Sequence, residues 1–306
     1  MSDMSVTEKV PRTATRLSFK DSLKSALPVQ WHARMRSLGR LRMITKLRVL
    51  AYSDVTLRDV RWEHVRYVLW DPEVESHTYD VANVDELAEF LADLLGCDVG
   101  TARRYLDEGV RDVEFDERWR SRLGRRLDLK SRAMLGNRLL WWGLVRILKP
   151  ALCVECGVYN GLGSLVLLRA LELNTEEGHP GELMSVDADP ASGWVVPPRL
   201  ADRWELIEGT TADVLGPTLL GRRVDLLVHD TPHTAENAEH EFGLALSHRA
   251  ARTVLLDSSG GRTGVLQRLC EEQGGRYARF VDVPSNHFRR GSGTGVGLFT
   301  EPEAPC

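Results

Sequence analysis

Two groups of residues in this 306-residue chain have the types and spacing for chemistry. One is the D-x-x-H pair Asp230 and His233, which follows the apolar run Val224–Val228, with Asp257 closing a similar run at Thr253–Leu256. A neutral imidazole removes a proton near pH 7. A carboxylate three residues away can orient that imidazole, or ligate a divalent cation through oxygen. The plainer alternative makes Asp230 the cap of a helix beginning near Thr234 and leaves His233 exposed in the turn. The other group is the turn Gly157, Tyr159, Gly161, Gly163 and Ser164, entered from Ala151–Val154 through Glu155.

That second group reads as a buried strand, a glycine turn and then a helix, the entry to a nucleotide-binding α/β layer. Glycine suits the turn because a Cβ would block the tight bend and the approach of a ligand. Amides at the helix start near Ser164 would face that ligand. A dinucleotide fingerprint reads G-x-G-x-x-G and sets a pyrophosphate on the helix. Here the order is G-x-x-x-G-x-G after an acid, which suits a cationic, amino-acid-bearing nucleoside better than NAD. Asp187 ends a second strand and can take ribose hydroxyls. Asp189 stands next to Pro190 and reads as the start of a turn.

The elements that must hold these groups alternate. Further strands are expected over Trp204–Gly209, Val224–Asp230, Arg252–Asp257, Tyr277–Val283 and Gly295–Thr300, with helix-length segments between the earlier ones. The expectation is an α/β, Rossmann-like, seven-stranded, mostly parallel sheet with a helical N-terminal region. In such sheets ligands lie beyond the carboxyl ends of the strands, where the acids above fall.

The glycine turn, the stretch from Ser185 to Gly209 and the segment from Val228 to Phe242 together resemble class I S-adenosylmethionine (SAM)-dependent methyltransferases. Within that class they resemble metal-dependent small-molecule O-methyltransferases of bacterial natural-product and sugar tailoring, over about residues 129–300. The resemblance implies SAM held by Glu155, Gly157, Tyr159, Gly161, Gly163, Ser164 and Asp187. It implies Asp230 and His233 as catalytic groups, with His233 the general base, and Mg2+ on Asp230 and Asp257. The acceptor it implies is a hydroxyl of a small molecule. The sequence departs from that pattern twice: Asp257 is followed by Ser258 rather than an acid, and Thr210 and Thr211 stand where an adenine-side acid is expected. Those departures keep open a metal-free enzyme of the same fold, an N-methyltransferase, or a non-catalytic partner protein with a degenerate pocket.

Composition agrees with an enzyme-sized globular chain, 42% hydrophobic with a net charge of -4. The charge is uneven: residues 1–70 carry 14 Lys or Arg against 6 Asp or Glu. The Arg-rich segment Trp31–Leu50 reads as an amphipathic packing helix, or as a surface for an anionic partner. Five irregularly spaced cysteines, among them Cys153 and Cys156 in one strand, argue against a zinc or disulfide framework and for a reducing cytoplasm. No membrane span, secretory leader or nucleic-acid motif is evident. The expected division is a helical extension over 1–128, its first 25 residues or so mobile, and a SAM-binding domain over 129–306. Residues 83–109 read as two helices, and the extension is suited to form a lid or a homo-oligomer.

Overall fold

A computed structural model of the protein describes residues 79–112, 115, 117–118, 135–285, 291 and 293–301. The basic segment Trp31–Leu50, the N-terminal tail, the expected 128/129 boundary and the C-terminal His287, Arg289 and Arg290 lie outside them.

Seven strands form one sheet: β1 (Leu152–Cys156), β2 (Glu182–Asp187), β3 (Trp204–Glu208), β4 (Val224–His229), β5 (Arg249–Asp257), β6 (Arg276–Phe280) and β7 (Thr294–Thr300). Their order is β3-β2-β1-β4-β5-β7-β6. All neighbours are parallel except β7, which runs antiparallel to both β5 and β6. The expected α/β sheet is therefore present, with strand limits within a few residues of the sequence reading. Leu226–Val228 and Thr253–Leu256 are buried on both faces, as central parallel strands covered by helices must be.

Seven described helices flank the sheet: α1 (Val84–Leu95), α2 (Val99–Arg111), α3 (Arg138–Leu148), α4 (Leu162–Glu176), α5 (Thr211–Leu219), α6 (Ala235–Ser247) and α7 (Val265–Gln273). Strand periodicity sorts the side chains between two apolar layers. Cys153, Leu226, Val228, Val254 and Leu256 face α1–α4, whereas Val154, Cys156, Leu227 and Leu255 face α5–α7. Cys153 and Cys156, three residues apart on one strand, accordingly point to opposite faces and cannot share a metal.

The helices α1 and α2 are not a loose appendage. They share one apolar cluster with α3, α4 and the sheet. Gly96 closes α1 in the left-handed conformation, and Asp98 caps α2 by accepting from the Thr101 amide at 2.9 Å. In α3, eight consecutive residues from Leu139 to Arg146 are buried, so this helix is enclosed on all sides. Trp141 and Trp142 are core residues, as their sequence context suggests. Arg146, 1% exposed, ties the layers together: it binds Glu108 on α2 at 2.7 Å and also Glu177 and Asn174 at the end of α4.

Candidate functional site

The strand order reverses between β1 and β4, and their carboxyl ends form the crevice where open α/β sheets take ligands. Both residue groups from the sequence meet there. The Gly157 amide bonds the Val186 carbonyl at 2.9 Å, and the Asp230 amide bonds the Cys156 carbonyl at 2.8 Å. Gly157 has φ +92°, and a Cβ on it would lie 2.5 Å from the Asp230 carbonyl oxygen. A Cβ on Gly161, at φ +89°, would lie 2.7 Å from Gly193 Cα. The turn thus needs glycine because the protein's own loops close against it, beyond any ligand approach.

The acids around the turn have defined partners. Asp187 Oδ2 accepts from the Val158 and Tyr159 amides at 2.7 and 2.9 Å, and Oδ1 accepts from the Asp189 amide at 2.9 Å. Asp187 therefore holds the turn in shape. It supports Tyr159 at φ 53°, a left-handed conformation that costs a tyrosine on the order of 1 kcal/mol and leaves its side chain 56% exposed. Glu155 lies beneath the turn, 1% exposed, accepting from Ser164 Oγ at 2.5 Å and Ser185 Oγ at 2.8 Å. Burial pushes its carboxyl up to about 7 despite both hydroxyl donors.

Asp230 begins the loop after β4. Its surface is open to water while protein groups crowd its carboxyl. Burial raises its carboxyl above the usual range, opposed by the charge of Arg138, the Ser258 hydroxyl at 2.5 Å and the imidazoles of His233 and His229. Burial lowers the His233 imidazole, with Asp230 acting in the opposite direction. The capping alternative for Asp230 does not hold, because Thr234 caps α6 and accepts from the Asn237 amide at 3.2 Å.

A third group lies beside these two. His229, last residue of β4 and fully buried, pairs its Nδ1 with Glu241 Oε2 at 2.6 Å. Glu241 Oε1 accepts from Thr211 and Thr231 hydroxyls, each at 2.8 Å. Register sets His229 beside Asp257 across β4 and β5, on the same face of the sheet. One donor atom each from His229, His233 and Asp257 all fall within 4.8 Å of one another.

No curated protein matches this chain. Residues 154–257 match a family profile described as "Methyltransferase domain". The matched segment begins inside β1 and ends at Asp257, enclosing the glycine turn, Asp187, Asp230 and His233. This segment is a methyltransferase domain. Among solved structures, the chain is similar to the O-methyltransferase TomG from Streptomyces achromogenes, involved in tomaymycin synthesis and bound to SAM. That pair is 19% identical, covers 71% of this chain and 96% of TomG, and has a TM-score of 0.46. An O-methyltransferase from Bacillus cereus in complex with SAH is 16% identical over 70% of this chain and 96% of its own, with a TM-score of 0.41. A methyltransferase from Geobacter sulfurreducens is 22% identical over 53% and 77%, with a TM-score of 0.39.

The methyltransferase domain accounts for the two departures noted in the sequence. Thr210 caps α5 and bonds Asp213, and Thr211 serves the Glu241 network. Ser258 contacts Asp230 and, at 2.9 Å, the His229 carbonyl. Three residues of the site stand outside the motifs of the sequence: His229, Glu241 and Arg138. The signal for Glu241 was present: it stands in the buried stripe Ala238, Phe242, Ala245 of α6, where a charge needs a partner. The charge of Arg138 acts on both Asp230 and Glu155.

The residues present fit SAM, with a glycine turn at the switch point, acids on either side and Arg138 facing them. They do not fit the expected Mg2+. That ion takes oxygen ligands in an octahedron, yet the donor atoms that converge among the described residues include two imidazole nitrogens, and Asp230 is not in that set.

Proposed function

We propose that the chain transfers a methyl group from SAM to a hydroxyl of a small molecule, natural-product or sugar-like in character. The contact between Gly157 and the Asp230 backbone carries this reading. It makes the cofactor turn and the D-x-x-H loop neighbours, so a methyl donor on one would face an acceptor on the other. The bound cofactor supplies a methyl group already activated on a sulfonium.

The chain's own residues then have to align and deprotonate. The turn from Gly157 to Ser164, braced by Asp187, seats the nucleoside. Glu155 and Arg138 are the anion and cation available to its amino-acid end. Asp230 and His233 receive the acceptor, and the neutral His233 takes the hydroxyl proton as the oxygen attacks. The helices α1 and α2 are proposed to border the acceptor side and to offer a face for self-association.

Calorimetric titration with SAM, S-adenosylhomocysteine and NAD tests the cofactor, and transfer of labelled methyl to a panel of hydroxylated small molecules tests the reaction. SAM and its product should bind and NAD should not. His233→Ala should keep cofactor binding and lose turnover by a factor of about 100 or more. Full turnover in that variant removes His233 from the chemistry, and binding of NAD alone removes the methyl-transfer reading.

A further inference from the structure

We propose that His229, His233 and Asp257 form a binding site for one divalent transition-metal ion, of the zinc or cobalt type, in place of magnesium. Three independent features of the site converge on it. One donor atom from each residue lies within a common 4.8 Å. Ligands sharing an ion with bonds of about 2 Å stand about 3 to 4 Å apart, so small side-chain rotations complete the set. His229 Nε2, His233 Nδ1 and Asp257 Oδ2 are each buried with no hydrogen-bond partner among the described residues. Orphaned polar atoms in such a place are costly unless something is bound. Finally, Glu241 holds His229 Nδ1 at 2.6 Å, which fixes the tautomer that turns the Nε2 lone pair toward the other two donors.

The other oxygen of Asp257 is likewise fixed, accepting from the Ser259 amide at 2.9 Å, so its free oxygen faces the histidines. Two imidazoles and one carboxylate suit borderline ions such as Zn2+ or Co2+, whereas Mg2+ prefers oxygen and dehydrates reluctantly. Three protein ligands leave coordination positions open, the arrangement of a catalytic rather than a structural site. A ligating His233 cannot also take a proton, so its role as base in the proposed function describes the metal-free enzyme.

The test is titration of the purified full chain with Co2+ in the absence of SAM, read by visible absorption and by metal content after dialysis. The expected result is one ion per chain with nitrogen–oxygen ligation bands, undisturbed by a large excess of Mg2+. His233→Ala, at a partly exposed position, should weaken binding at least 100-fold. Glu241→Gln, which touches no ion, should weaken it 10- to 100-fold. Absence of bound Co2+ in the wild-type chain overturns the proposal, as does binding unchanged in His233→Ala or displaced by Mg2+. Methyl transfer without the ion leaves the proposed function standing, so the two readings fail separately.

Discussion

Glu155→Gln tests the electrostatics beneath the glycine turn. Glu155 is almost wholly buried, and its carboxyl rises from an ordinary 4.5 to about 7. Below pH 4.5 the acid is protonated folded or unfolded and contributes no difference. Between pH 4.5 and about 7 the unfolded chain loses that proton while the folded chain keeps it, so stability falls as pH rises. Each tenfold difference in acidity is worth about 1.4 kcal/mol, which gives a loss of about 3 kcal/mol at pH 8. A glutamine keeps an oxygen to accept from Ser164 and Ser185 and carries no charge. Urea unfolding of both chains should therefore show near-equal stability close to pH 4.5 and a gain of up to about 3 kcal/mol for the variant at pH 8. SAM should bind the variant more weakly, because the anion proposed for its ammonium group is gone. A variant less stable than wild type at pH 8, or a gain that does not change with pH, would refute the reasoning.

Two further perturbations address the clasp on the turn and the tie between layers. Asp187→Ala removes the acceptor for the Val158 and Tyr159 amides, so calorimetry should show SAM affinity lowered at least tenfold, and unchanged affinity would mean that the turn holds its shape without the clasp. Arg146→Ala removes a buried guanidinium that ties part-exposed Glu108 and Glu177 to Asn174; thermal or urea unfolding should show a loss of about 1 to 3 kcal/mol, and no measurable loss would mean that α2 does not depend on this tie.

The sequence by itself determined whatever is local. The run into Glu155, the glycines after it and the apolar stretch from Leu165 announce strand, turn and helix, because backbone geometry and side-chain periodicity act over neighbouring residues. The alternation of strand and helix lengths set the sheet class, and the positions of Asp187, Asp230 and Asp257 at strand ends set the end of the sheet at which these acids gather. Only the tertiary structure decided what stands beside what. His229 meets Asp257 because β4 and β5 are neighbours in register, and it meets Glu241 because α6 packs back over β4. Gly157 meets Asp230 because the strand order reverses between β1 and β4. Thr210 and Ser258 looked like missing acids when read alone, and within the fold one is a helix cap and the other bonds Asp230. Long-range pairings follow from strand order and helix packing, which many residues fix jointly and no short motif encodes.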